Sequence, residues 1–248
     1  VKRRTPKDVT ELTAKGDQRI WVRPIREDDR AQLLDGWSRL SERSRYMRFH
    51  SPVKTLSEAT LDYLLNIDHH DHEALVALDP DAPDEPGVGV ARYIRLEEDP
   101  TIAEAAITVI DEYQGRGIGT ALIGMLEQLA HARGIRTFRN YVLAENRTML
   151  EIFRQLDGEI QPEGSTVFRV DVPVRGPEEA QPDTPAGRWV ASVGRQTESE
   201  ADEWAYPLLW LYRKVADIGE VVADASPSRL LKGWAEDQLR QRGSDEEE

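Results

Sequence analysis

The sequence predicts an α/β fold: one mixed, mostly antiparallel twisted sheet flanked by helices, with a helical extension near the C-terminal end. Three observations lead there. Between residues 72 and 110 three short apolar runs follow one another with only polar turns between them, which is how antiparallel strands are joined. After residue 110, strand-like runs alternate with helical periodicity, which calls for a crossover and a mixed sheet. Between the two regimes, "VIDEYQGRGIGTALIGMLEQLA" (109–130) passes from a glycine-rich loop straight into a 3.6-residue apolar period.

Each element has its own signal. "IWVRPI" (20–25) reads as the first strand. Asp28 and Asp29 follow, where a helix N-terminus favours negative charge. That helix carries Leu33, Leu34, Trp37 and Leu40 as an apolar stripe. Ser41 is placed to cap "SERSRYMRF", and a further helix covers Ser57 to Asn66 with Leu61, Leu64 and Leu65 inward. "EALVALD", "VGVARYIRL" and "IAEAAITVI" are strands, the first two separated by the Pro/Asp-rich turn "PDAPDEPG". The helix after the glycine loop presents Ala121, Leu122, Met125, Leu126 and Leu129, and Gly134 stops it. "RTFRNYVLA" is a strand, Asn146 to Leu156 a short helix with Met149, Ile152 and Phe153 inward, and "STVFRVDVPV" a closing strand.

The expected organisation is a flexible N-terminal segment over 1–19, one domain over 20–175 and an acidic, Pro-rich linker over 176–204. A C-terminal helical segment over 205–240 and a disordered acidic tail over 241–248 follow. The 248 residues carry a net charge of −14, which argues against nucleic acid as a partner and favours cationic ones. With no cysteine, thiolate metal sites, disulfides and a cysteine nucleophile are excluded. No apolar run is long enough to span a membrane and the N-terminus has no apolar h-region, so a cytoplasmic protein without membrane partners is expected.

The glycine loop is the strongest signal. Successive amides in such a turn form an anion-binding nest, and the following helix adds the positive end of its dipole. A dinucleotide fold would want G-x-G-x-x-G, but Thr120 stands where the third glycine should be, and several strands precede the loop. A P-loop would end in Gly-Lys-Ser/Thr, which is absent. The remaining candidate is the pyrophosphate loop of an acyl-coenzyme A transferase, against glycines that serve packing alone.

On these residues the sequence resembles the GNAT family of N-acetyltransferases. "QGRGIG" (114–119) matches the family's Q/R-x-x-G-x-G/A motif, approached by a strand bearing a valine, as in "ITVIDEYQGRGIG". "NRTML" resembles the asparagine segment of the next helix and "VRPIREDD" the first strand and its turn, so the resemblance covers roughly Ile20 to Val172. "LSERSRYMRF" and "AEAAITVIDEYQGRGIG" are most similar to bacterial Pat-type protein-lysine acetyltransferases. The resemblance implies acetyl-CoA as the acetyl donor and no metal. Val109 would lie beside the pantetheine arm, pairing with its amides as a missing strand would. Gln114, Gly115, Arg116, Gly117, Ile118, Gly119 and Thr120 would hold the pyrophosphate. Asn146 would contact the pantetheine, with Met149 and Phe153 bordering it.

Acetylating an amine needs the neutral nucleophile. A lysine at pH 7 lies about 3.4 pKa units from neutrality, roughly 4.6 kcal/mol, so a base or proton relay is required. Glu104 is the candidate: a carboxylate within an apolar strand has its pKa raised by desolvation, and the resemblance puts the catalytic glutamate of Pat-type enzymes there. One departure stands out. Phe153 occupies the position at which many family members carry a tyrosine as proton donor to the leaving thiolate.

Two other clusters bear on function. "DHHDHE" (68–73) has metal-ligand residue types, but strand alternation would scatter them, so a solvated turn is expected. Arg43, Arg45 and Arg48, with Tyr46 and Phe49, read as a helix surface paired with nearby acids, or as a face toward an acidic substrate. A helix over Pro207–Val222 carries enough apolar surface to need cover from the domain or from a second subunit in a homodimer. Three functions follow: acetylation of a primary amine, in the first place a protein lysine; acyl-CoA sensing without catalysis; and acetylation of a small amine such as a polyamine or antibiotic.

Overall fold

The computed structural model describes residues 9–201; the sequence-predicted helix at Pro207–Val222 and the acidic tail lie outside the described residues. The strands are β1 (Thr10–Ala14), β2 (Gln18–Pro24), β3 (His72–Leu78), β4 (Gly87–Arg95), β5 (Ile102–Val109), β6 (Thr137–Leu143), β7 (Glu159–Glu163) and β8 (Val167–Pro173). The helices are α1 (Arg30–Ser38), α2 (Glu42–Phe49), α3 (Glu58–Leu65), α4 (Ile118–Ala132), α5 (Arg147–Gln155) and α6 (Pro185–Ala201). All eight strands form one sheet in the order β1-β2-β3-β4-β5-β6-β8-β7. The β5–β6 pair is parallel and every other pair is antiparallel. The mixed sheet is the architecture that the element order predicts.

Local chemistry explains the boundaries. The Ser41 and Ser57 side chains accept from the backbone amides of Ser44 and Thr60, each capping its helix. Asp29 closes the turn before α1 and is buried against Arg23 in a two-pronged ion pair at 2.6 and 2.7 Å. After α4, Gly134 takes the left-handed conformation (φ +82) that the helix stop requires.

Two expected boundaries are corrected. The N-terminal segment contains β1, which pairs with β2 across a turn at 15–17 and buries Leu12 and Ala14 in the core. Alternating burial of two apolar side chains is enough to hold a five-residue edge strand. The 176–204 stretch contains α6, whose Ala186, Val190 and Val193 are buried in that same core, mainly on α4. Their i, i+4, i+7 spacing puts them on one face. Thr184 caps the helix by accepting from the Gly187 amide at 3.0 Å, and Pro185 suits its first turn. α4 is therefore covered on two sides. Gly124 lets α6 approach, since a Cβ there would stand 3.2 Å from Val190 Cγ1.

Candidate active site

The site begins where a strand pair ends. β5 and β6 run in register only from Ile102–Glu104 against Thr137–Arg139. Beyond Glu104 the two strands separate, and Ala105 to Val109 have no partner on the β6 side. The Ile110 amide donates to Val88 of β4 at 3.0 Å. Because successive residues point their polar groups to opposite sides, the N–H and C=O of Val109 point into the opening. The Val109 carbonyl accepts there from the Gln114 side chain at 3.0 Å. The opening is a groove of about 1020 Å³ lined by α2, β5, the glycine loop, α4, β6, α5 and α6.

Most sequence-predicted residues meet in this groove: Glu104, Val109, Gln114, Gly115, Gly117, Ile118, Gly119, Thr120, Asn146, Met149 and Phe153 all line it. Gly115 and Gly117 are left-handed (φ +76 and +83), a conformation that costs other residues about 1–2 kcal/mol. A Cβ on Gly115 would meet nothing within 4 Å, so the loop leaves room on that side. The first helical bond runs from the Ala121 amide to the Gly117 carbonyl. The amides of Ile118, Gly119 and Thr120 precede that ladder and are left for an acceptor from outside the helix. This is the arrangement that a bound phosphate group fits.

The Arg116 side chain goes elsewhere. It is absent from the groove lining, and its guanidinium donates to Gln18 Oε1 and the Glu112 carbonyl, both at 2.8 Å, while stacking over Tyr113. Only its backbone belongs to the loop, because the side chain already has partners on the outer surface. Asn146 has a structural duty as well, since its Oδ1 accepts from the Met149 amide at 3.3 Å as the cap of α5. Phe153 is buried, 3% exposed, at the groove wall.

Glu104 shares a sheet face with Ala106 and Thr108 and with Arg139 and Tyr141 across the parallel pair. Burial pushes its carboxyl above the usual range, and the Arg48 guanidinium partly offsets this. Three groove residues carry no motif that singles them out. Tyr141, 39% exposed on β6, has its phenol raised by burial and then by Glu104. His50 ends α2 in the left-handed conformation, and burial followed by Arg48 lowers its imidazole. Trp189 of α6 donates its indole N–H to the Gly117 carbonyl at 2.9 Å. The two halves of the site are fastened by Asp111, which accepts from Ser41 Oγ at 2.7 Å and Ser44 Oγ at 3.0 Å at the start of α2. Burial alone would raise that carboxyl, but these hydrogen bonds outweigh it and hold it low.

With a match to the acetyltransferase (GNAT) family and a curated acetyltransferase covered over 80% of its length, the chain belongs to that family.

The match to that family spans residues 35–157, ending before β7, β8 and α6. An acetyltransferase from Pseudomonas aeruginosa is 34% identical over 149 residues, covering 59% of this chain and 80% of that protein. Acetyltransferase Pat from Mycolicibacterium smegmatis is 35% identical over 156 residues, covering 62% of this chain but only 46% of its own length. The chain thus spans less than half of that relative. Among solved structures, the GNAT domain of S. lividans PAT superposes with a TM-score of 0.62 at 26% identity, covering 69% of this chain and 99% of that domain. These similarities support a Pat-type GNAT acetyltransferase domain. Acetyl-CoA is the acyl donor of the family.

The remaining clusters go elsewhere. His69 pairs with Glu73, His70 with Asp71, and His72 accepts from Arg92 at 3.0 Å. Among the described residues no three His, Asp or Glu side chains form a metal-holding group. Among the described residues the arginines of α2 form no ion pair with an acid, against the expected surface pairing. Arg45 donates to the Leu40 and Lys54 carbonyls and lies over Trp37, Arg48 lies over Phe49, and Arg43 and Arg48 line the groove. α2 therefore faces inward more than its charge suggests. Among the described residues no helix is long and apolar enough to cross a membrane.

Proposed function

We propose that the protein transfers acetyl from acetyl-CoA to a primary amine, a protein lysine in the first place, by direct attack with Glu104 as general base. The observation that carries this reading is the position of Glu104. It is the last residue of the parallel pair, it lines the groove that the donor would enter, and burial raises its carboxyl above the usual range. A carboxylate so placed takes a proton from an incoming ammonium more readily than one in water.

The bound thioester supplies an activated acetyl group; the chain supplies alignment and proton transfer. The glycine loop and the first amides of α4 hold the pyrophosphate through Gln114 to Thr120. Ala105 to Val109 offer the pantetheine a strand edge, and the Val109 N–H polarises the thioester carbonyl. Asn146, Met149 and Phe153 border the arm. Phe153 cannot give up a proton, so thiolate departure relies on its own low basicity or on water. The Pat-type resemblance and the net charge of −14 support a cationic protein acceptor.

Glu104→Gln should lower kcat by about a hundredfold or more while leaving the Kd for acetyl-CoA within about twofold. Unchanged turnover would remove Glu104 from the role. Phe153 favours a second reading, an acyl-CoA sensor without turnover. Tight acetyl-CoA binding with no CoA release across lysine peptides, polyamines and aminoglycosides would establish that reading instead.

A further inference from the structure

α6 lies outside the stretch that matches the family, yet it forms part of the groove. Pro185, Ala186 and Trp189 line it beside the glycine loop. The indole N–H is bound to the Gly117 carbonyl, and a Cβ on Gly117 would stand 3.0 Å from the indole nitrogen. The ring is thus held against the loop, half-buried, and the residue lines the groove. Lys15 comes from the other direction. Its backbone amide donates to the Arg116 carbonyl at 2.9 Å, and the residue lines the same groove. Among the described residues Lys15 has no ion-pair partner. An acidic chain has therefore put a lysine and an indole in one groove, each hydrogen-bonded to one of two consecutive carbonyls of the glycine loop.

That pairing fits a phosphorylated nucleoside. An aromatic face stacks on a base of any identity, and an ammonium meets a phosphate as a point charge. We infer that Trp189 and Lys15 form a subsite for the adenosine 3′-phosphate end of the donor, built by α6 and the β1–β2 turn outside the family core. The inference rests on the acyl-CoA reading of the loop. It assigns α6 a share in donor selection, so that the described C-terminal helix is part of the binding site.

Calorimetry on the full chain with CoA, 3′-dephospho-CoA and 4′-phosphopantetheine tests this without an acceptor. Trp189→Ala should weaken CoA roughly tenfold while phosphopantetheine, which lacks the adenosine, changes less than about twofold. Trp189→Phe keeps a ring face without the N–H and should retain most of the CoA affinity. Lys15→Ala should reduce the preference for CoA over its 3′-dephospho form. Equal losses for CoA and phosphopantetheine in Trp189→Ala would overturn the subsite, because Trp189 would then only be holding the loop. Unaltered CoA binding in that variant would overturn it too. A wild-type chain that binds none of the three ligands would instead overturn the acyl-CoA reading underneath.

Discussion

The glycine loop and α6 meet at one hydrogen bond, from Trp189 to Gly117, but they reach the groove by different physics. The loop is made by neighbours in sequence. Two left-handed glycines, a turn and a helix start fix its shape within Gln114 to Thr120, and few long-range contacts are needed. α6 is made by packing. Its sequence is a modest helix whose place depends on Val190 and Val193 finding α4, about seventy residues earlier in the chain. Short-range geometry writes a motif; long-range packing writes only a periodicity. One groove contains both.

Forcing the two apart tests how far they depend on each other. Gly124→Leu puts a side chain where Val190 already stands and should lower stability by up to about 3 kcal/mol, read by denaturant unfolding. It should also weaken CoA binding as the Trp189→Ala change does, although residue 124 lines no part of the groove. If CoA affinity survives while α6 is displaced, as shown by proteolysis near residue 185, the loop stands alone.

Comparing two glycines sharpens the point. Gly115→Ala and Gly117→Ala both force a left-handed alanine, at about 1–2 kcal/mol each. Only the second also meets Trp189. Gly117→Ala should therefore weaken CoA more than Gly115→Ala by a factor of several in calorimetry, and the gap should close in a Trp189→Ala background. A gap that persists would separate the loop from α6.

The smallest effect concerns the strap leading to α6. Glu127 of α4 accepts from the Arg175 amide at 2.7 Å and from Gln181 at 3.0 Å, and burial raises its carboxyl to about 7. A carboxyl raised in the folded state binds protons that the unfolded chain does not. Its cost is fully present above pH 7 and is relieved as pH falls toward the unfolded value near 4.5. Unfolding free energy, taken as the difference from Glu127→Gln, should rise by about 1 kcal/mol between pH 8 and pH 6. A flat difference would mean that Glu127 stays charged and the strap is insensitive to protons.

The mixed sheet, the glycine loop before a helix and the place of Glu104 on an apolar strand were legible because each rests on a local rule. Strand alternation, a glycine nest before a helix and a lone carboxylate in an apolar strand all show within ten residues. The course of the Arg116 side chain was not legible, because a motif position does not say where a long side chain goes, and Gln18, ninety-eight residues earlier, takes it. Leu12 and Ala14 were hidden in a charged N-terminus, where composition outweighed a two-residue alternation. Thr184–Pro185 with Ala186, Val190 and Val193 did carry a helix signal, masked by the acidic, Pro-rich residues on either side. Trp189, Tyr141 and His50 carried no signal at all. Their positions depend on which strand separates from which, and that is a property of the whole sheet.

That separation has a mechanical consequence. The strands β1 to β5 and β6 to β8 are two plates joined along only three registered residues on each side, Ile102–Glu104 and Thr137–Arg139. Glu104 sits at the tip of the seam, where any rocking of the plates is greatest relative to its short length. A ligand lying in the cleft and bonded to both plates would act as a rivet. Amides on either side of the seam should then exchange hydrogen more slowly with CoA bound, and the position of the proton acceptor would be set by the occupant of the cleft as much as by the fold.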